Sequence, residues 1–325
     1  MASTHISSPF RGDCLEGKVA LVTGGGSGIG FEIARQLLEH GCAGVVLCGR
    51  RASFLEKACR LLNSSSSQKA HYHVCDVRQP RDCQAAVETC RQRFQRLDIL
   101  VNGAAGNFLS TADQLSPKGF ATVLAIDTLG TFNMCHAAFG LLKETNSKNN
   151  KNNNSIILNI SATLQCPATH WQVHASAAKA AVDSLTRSLA LEWGHYGIRV
   201  CGIAPGPIAN TPGTAKLAPS TKNIKNNNNT TSHHHTTLVQ EGIPLGRMGE
   251  TWEIGHAVVY LATALYVTGH VLVVDGGEWL YKPPLVPRNL VARLSRQVEA
   301  SSRAQGPTGT VQQQQREQRQ QYSKL

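Results

Sequence analysis

The chain has 325 residues, 41% hydrophobic and 16% charged, which supplies enough apolar material for a sizeable core and excludes a disordered polymer. No apolar stretch reaches the roughly 18 residues of a membrane span, since the longest, Ala257–Val274, is interrupted by Thr263, Thr268, Gly269 and His270, and MASTHISSPFRGD at the start has no apolar centre to serve as a secretory signal. The net charge of +11 owes much to the tail residues Arg288, Arg293, Arg296, Arg303, Arg316, Arg319 and Lys324, where no nucleic-acid motif accompanies it, so no nucleic-acid partner is expected.

In chain order, short runs rich in β-branched residues alternate with helical patterns. A strand is expected over Lys18–Thr23 and a helix over Phe31–His40, then strand Val45–Cys48 and helix Ser53–Leu62. Strand His71–Val74 precedes helix Pro80–Gln92, and strand Asp98–Val101 precedes a long helix over Phe120–Leu142. Strand Ser155–Ile160 leads to helix Val173–Trp193, and strand Arg199–Ile203 is followed by helix Thr251–Leu261 and strand Val271–Val274. Such alternation implies right-handed crossovers and a parallel sheet covered on both faces. The expectation is an α/β fold, a single doubly wound Rossmann domain with a seven-stranded parallel sheet.

That domain is placed at residues 14–285, after a flexible N-terminus at 1–13. Two Asn-rich stretches, Lys143–Asn154 and Pro219–Thr237, read as low-complexity insertions in surface loops. Residues 286–325 read as a basic, Gln-rich flexible tail ending in Ser323-Lys324-Leu325. The triplet His233–His235 falls inside the second insertion, and no metal site is expected. The ten cysteines form no CxxC pair and several lie in apolar runs, as reduced buried thiols do.

The turn after the first strand reads Thr23-Gly24-Gly25-Gly26-Ser27-Gly28-Ile29-Gly30. It fails GxGxxG, because Phe31 stands where the last glycine would be, and fits TGxxxGxG instead. With a strand before it and a helix after it, this loop is expected to bring backbone against a dinucleotide diphosphate at a helix N-terminus. Arg50 and Arg51 end the second strand where an acidic residue would take the ribose hydroxyls of NAD, and two guanidinium groups suit the 2′-phosphate of NADPH. Asp76, after the third strand, is a candidate acceptor for the adenine amino group.

These motifs resemble the short-chain dehydrogenase/reductase superfamily over about residues 15–280. The resemblance rests on TGGGSGIG, Asn102-Gly103-Ala104-Ala105-Gly106, Lys179 in a long helix, Pro205-Gly206-Pro207 and Asp275-Gly276-Gly277. It implies that Asn102, Ala104, Gly106, Lys179, Pro205, Gly206, Pro207 and Ile208 also meet the cofactor. The superfamily's Asn–Ser–Tyr–Lys tetrad stands here as Asp127, Ala162, Ala175 and Lys179. Without the tyrosine no hydroxyl protonates a developing alkoxide, so ordinary ketone reduction is not expected.

The stretches around Asn107-Phe108-Leu109, Ile126-Asp127-Thr128 and Val173–Val182 resemble the peroxisomal 2,4-dienoyl-CoA reductases, in which an Asp and a Lys support a catalytic water. The resemblance implies Asp127 and Lys179 as the catalytic pair, hydride entry at C5 of a fatty dienoyl-CoA, and protonation of C2 by the held water to leave a 3-enoyl-CoA. Asn107, Phe108, Leu109 and Lys216 are then candidate substrate contacts. Ser323-Lys324-Leu325 reads as a peroxisomal address for an import receptor, and a homodimer or homotetramer is expected by analogy. Another enoyl-CoA reductase and a catalytically inactive NADPH-binding scaffold remain as alternatives.

Overall fold

The structure is a computed structural model that describes residues 8–63, 69–148, 154–164, 168–217, 242–282, 290–291, 293 and 296–297. The seven strands are β1 (Val19–Thr23), β2 (Gly44–Gly49), β3 (Ala70–Val74), β4 (Ile99–Asn102), β5 (Ser155–Ile160), β6 (Ile198–Pro205) and β7 (Val271–Val274). All are parallel, in the order β3-β2-β1-β4-β5-β6-β7, and the strand order reverses at β1/β4. This is the doubly wound sheet expected from the sequence, with ligand-binding crevices at the carboxyl ends of its strands.

The helices are α1 (Gly28–Glu39), α2 (Ala52–Leu62), α3 (Pro80–Phe94), α4 (Pro117–Leu124), α5 (Gly130–Lys148), α6 (Val173–Trp193), α7 (Pro212–Leu217) and α8 (Thr251–Thr263). Side chains alternate across the strands. Ala20, Val22, Val45, Leu47, Ile99 and Val101 pack with Ile33 and Leu37 of α1, Leu55 of α2 and Val258 of α8. Leu21, Val46, Cys48 and Leu100 point to the other face and pack with Cys83 and Val87 of α3, Met134 and Leu141 of α5, and Leu189 of α6. Both faces are therefore apolar, as a covered parallel sheet requires. Cysteines among the described residues are free thiols, and no helix among those residues is long and apolar enough to cross a membrane.

Local chemistry sets the element ends. Pro80 and Pro117 start α3 and α4 at positions where a missing N–H costs nothing. The Ser116 hydroxyl accepts from Gly119 N at 3.0 Å, and Glu250 and Glu253 cap the start of α8 reciprocally.

Three expectations change. The single helix over Phe120–Leu142 is instead α4, a π-helical segment Ala125–Leu129, and α5. An apolar stripe of helical period cannot distinguish i+4 from one turn of i+5 hydrogen bonding. The insertion expected from Lys143 begins later, because α5 runs on to Lys148: buried Thr145 caps Leu97 N, and Asn146 bonds Tyr196 O, Gly197 O and Ser155 N. The flexible N-terminus expected over 1–13 is held from residue 8 onward, with Ser8 Oγ on His40 Nε2 at 2.7 Å and Phe10 edge-on to His40 and His256.

The chain divides into two units, Met1–Tyr281 and Lys282–Leu325. In the second, positions 290, 291, 293, 296 and 297 have helical backbone. The insertion Pro219–Thr237 and the Ser323-Lys324-Leu325 address lie outside the described residues.

Candidate active site

The turns after β1 and β4 are locked together at the carboxyl edge of the sheet. The Thr23 hydroxyl accepts from Gly103 N at 3.0 Å and Ala104 N at 3.1 Å. Gly24 has φ +69°, and a Cβ on it would stand 2.6 Å from Gly103 O. A Cβ on Gly30 would collide with the Gly24 carbonyl. These two glycines thus let the loop cross the start of α1 at backbone contact. Ser27 precedes α1 in an extended conformation and makes no side-chain cap, so the positive end of that helix keeps its first-turn N–H groups for an anion. Gly28 holds φ +55°. Gly25 and Gly26 pack under Leu47 and Leu55, and Ile29 packs on the core, so these three offer backbone only.

Arg50 and Arg51 follow β2 and are both exposed. The Arg51 guanidinium lies 3.8 Å over the Phe54 ring. Asp76 grips Arg78 at 2.5 Å. That hydrogen bond, more than any other influence, holds the Asp76 carboxyl below its usual range, with the Arg50 charge acting in the same direction. The carboxylate expected to meet adenine is thus already engaged, between two arginines. Asn102 turns into the fold: its amide donates to Asn159 Oδ1 at 2.9 Å and Cys135 Sγ at 3.2 Å, while Oδ1 is buried without a partner. Pro205 ends β6. Gly206 donates to Val274 O, and a Cβ there would meet Asp275 at 2.6 Å. Pro207 O accepts from Gly249 N at 3.0 Å. The Ile208 side chain is core, which leaves its backbone alone for a cofactor.

Asp127 sits in the π-helical segment, 1% exposed. Its Oδ1 accepts from Gly106 N at 2.7 Å and its Oδ2 faces Lys179 Nζ at 3.1 Å. Lys179, also buried, donates to Ile160 O at 2.9 Å. One carboxylate therefore ties the turn after β4 to α6 and β5. Ala175 is sealed against Val123 and Ala178, so position 175 offers Lys179 no hydroxyl.

Three of the candidate substrate contacts, Asn107, Phe108 and Leu109, follow Gly106 in the turn after β4. Asn107 Nδ2 donates to Gln172 Oε1 at 2.6 Å. Ser110 N donates to the carbonyl of Trp171, a half-exposed residue with φ +61°. Phe108 and Leu109 are each 39% exposed. Phe108 stacks on His174, with ring centroids 4.3 Å apart and planes at 27°. The Lys216 side chain lies outside the described residues; its backbone is in α7. Gln172, Trp171 and His174 were not singled out by sequence reasoning. The only sequence signal for His174 was a histidine in an otherwise apolar helix start, a pattern shared with ordinary core positions.

The family model described as enoyl-(acyl carrier protein) reductase matches residues 24–278. The peroxisomal 2,4-dienoyl-CoA reductase [(3E)-enoyl-CoA-producing] of Arabidopsis thaliana is 49% identical over 308 residues, covering 94% of this chain and 98% of that protein. The protein of the same description from Danio rerio is 44% identical, covering 85% of each. Among solved structures, a short-chain dehydrogenase from Bacillus anthracis superposes with TM-score 0.68 at 34% identity, covering 82% of this chain and 98% of that one. A 3-ketoacyl-(acyl-carrier-protein) reductase from Brucella melitensis, complexed with NADH, gives 0.69 at 27% identity, covering 82% and 99%.

Proposed function

The chain belongs to the short-chain reductase family defined by that enoyl-reductase model, and from this we propose that it is a peroxisomal, NADPH-dependent 2,4-dienoyl-CoA reductase that forms 3-enoyl-CoA. The observation that carries the reading is the buried Asp127–Lys179 pair beside alanine at positions 162 and 175. Ketone reduction needs an acid at the oxygen; conjugate reduction needs a proton at carbon, which a held water can give.

The residues fit a nicotinamide dinucleotide. The Gly24/Gly30 crossing admits no Cβ and so brings the loop's backbone against the start of α1, the uncapped start of α1 offers its N–H groups to a diphosphate, and Arg50 and Arg51 suit a 2′-phosphate. When bound, the reduced cofactor supplies the hydride that adds to the dienoyl chain. Lys179 offers a positive charge to the electron density that moves toward the thioester oxygen. Asp127 orients a water for proton delivery to C2, and Gly106 fixes that carboxylate. Asn107, Phe108 and Leu109 border the acyl chain. Ser323-Lys324-Leu325 is the address read by the import receptor. The names of the relatives, peroxisomal reductases that produce a (3E)-enoyl-CoA, support this location and this product.

The test mixes the purified chain with a medium-chain 2,4-dienoyl-CoA and either NADPH or NADH, follows nicotinamide absorbance, and identifies the product's double-bond position. NADPH oxidation giving a 3-enoyl-CoA is expected. A 2-enoyl product, or equal use of a mono-enoyl-CoA, replaces the reading with another enoyl reductase; NADPH binding without turnover replaces it with a scaffold. Arg50→Ala/Arg51→Ala should weaken NADPH by about 10- to 100-fold, the scale of lost hydrogen bonds to a charged group, and leave NADH nearly unaffected.

A further inference from the structure

The turn that follows β7 carries a carboxyl group to which the reaction above gives no task. Asp275 shapes this turn, its Oδ1 accepting from Gly277 N and its Oδ2 from Trp279 N, each at 2.8 Å. Glu278, in the same turn, is half-buried. Its Oε2 accepts from the hydroxyl of Thr163, 115 residues away along the chain, at 3.1 Å. Thr163 lies in the loop after β5 and follows Ala162, the position of the superfamily's serine.

The catalytic lysine leans on that same loop. Three side chains of α6 meet it: Lys179 Nζ donates to Ile160 O at 2.9 Å, Ser161 Oγ donates to Asp183 Oδ1 at 2.5 Å, and Ser176 Oγ donates to Leu164 O at 3.1 Å. Glu278 holds the loop from a different element. Its turn also meets the segment that follows the second insertion, since Leu245 N donates to Gly276 O at 3.1 Å and a Cβ on Gly277 would stand 3.2 Å from Pro244. The turn after β6 is equally close, because a Cβ on Gly206 would stand 2.6 Å from Asp275. Glu278 thus sits where the loop after β5 meets the far end of the sheet.

We propose that Glu278 is a positioning residue for the reduction: through Thr163, its carboxylate fixes the loop after β5 in the register that sets Lys179 against Asp127. This rests on the functional reading above. A hydroxyl-to-carboxylate bond is charge-assisted, and it weakens when the acceptor is protonated. Burial pushes the Glu278 carboxyl above its usual range, with the Asp275 charge acting in the same direction and the Thr163 bond opposing both. Asp275, on its own turn, is the charged group that faces it; the loop after β5 brings the Thr163 hydroxyl, and Ile243, Pro244 and Leu245, packed on the glycines of the turn, carry no charge. The latch is therefore closed above the raised value and opens as pH falls through it. This gives kcat an acid limb that lies above the ordinary glutamate value of about 4.3.

The experiment uses the full chain and its Glu278→Gln, Glu278→Ala and Thr163→Val variants. For each, kcat and KM for a medium-chain 2,4-dienoyl-CoA are measured at saturating NADPH from about pH 5 to about pH 8, beside a thermal melt at each pH. Glu278→Ala and Thr163→Val should lose about 10-fold in kcat at neutral pH, the scale of one hydrogen bond to a charged group, with a smaller change in KM. Glutamine keeps an oxygen that accepts from Thr163 and cannot titrate. Glu278→Gln should therefore regain most of the rate lost in Glu278→Ala and flatten the acid limb. A carboxyl that only stabilised the fold would shift the melts and leave the pH profile of kcat in place. The proposal is overturned by a wild-type profile that is flat to the acid end, by a Glu278→Gln protein that keeps the wild-type limb, or by a folded Glu278→Ala protein with the wild-type kcat. If Glu278→Ala does not fold, the glutamine and valine variants decide the matter alone. In each of these cases, continued wild-type formation of 3-enoyl-CoA leaves the functional reading standing; a wild type that binds NADPH and does not reduce the dienoyl-CoA removes both.

Discussion

Replacing Asp127 separates two jobs done by one carboxylate, since its oxygens satisfy Gly106 N at 2.7 Å and Lys179 Nζ at 3.1 Å and the side chain is 1% exposed. Removing one partner of a buried ion pair costs about 3–5 kcal/mol. At roughly 2–4 °C per kcal/mol for a domain of this size, Asp127→Ala should melt on the order of 10 °C below wild type. Asp127→Asn is no neutral isostere here, because it brings one acceptor to a position that faces two donors. If its oxygen serves Gly106, its NH2 opposes the Lys179 ammonium. Both variants should lose about 10²- to 10⁴-fold in kcat/KM, the range of a positioned proton-transfer group. The informative variant is Asp127→Asn/Lys179→Met. Removing the stranded ammonium should restore part of the melting temperature lost in Asp127→Asn, while activity stays as low as in either single variant. Thermal melts and NADPH oxidation on all four proteins complete the cycle. The reasoning is refuted if the single variants melt with wild type, or if the double variant regains its rate.

Other outcomes follow from the same geometry. Gly24→Ala places a methyl 2.6 Å from Gly103 O at φ +69°, so it should abolish measurable NADPH binding by calorimetry even where folded protein is recovered. Thr23→Val removes the acceptor for Gly103 N and Ala104 N and should destabilise the chain by about 1–3 kcal/mol for each donor left unpaired, read by urea unfolding. His256 has its folded pKa depressed from 6.5, first by burial, with the charges of His40 and Arg35 adding to it and those of Glu32 and Glu253 opposing it. The unfolded chain therefore binds more protons as pH drops, so this contribution is present above about 6.5 and is lost as pH falls through the depressed value. The melting temperature should fall between about pH 7 and 5, less steeply in His256→Phe. His174, depressed in the same direction, keeps some slope in that variant.

The strands and most helices were legible because a covered parallel sheet writes itself as β-branched runs between helical patterns. Ser155–Ile160, Val173–Trp193 and Val271–Val274 fall where the spacing put them. The glycine-rich turn after β1 was legible because its glycines are demanded by backbone crossings that admit no Cβ. What could not be read was any feature made by two distant segments. The apolar stripe of Phe120–Leu142 runs through Ala125–Leu129 without a break, yet the π turn there is what presents Asp127 to both Gly106 and Lys179. Short helix α7 carries too few residues for a periodic signal.

The π segment and the missing tyrosine belong to one physical arrangement. A wider turn is poorer in hydrogen-bond geometry than an α turn and persists where something else fixes it. Here Asp127, in the middle of the segment, is clamped from two sides by Gly106 N and Lys179 Nζ. Without a hydroxyl at position 175 the lysine needs a buried counter-charge, and Asp127 supplies it from the facing helix. His174, one residue before that position, is buried under the Phe108 ring. That Asp127 and Lys179 belong together could be anticipated by aligning motifs, and the two side chains do meet at 3.1 Å. The stacking of His174 under Phe108 could not, because it is a property of packing rather than of order along the chain.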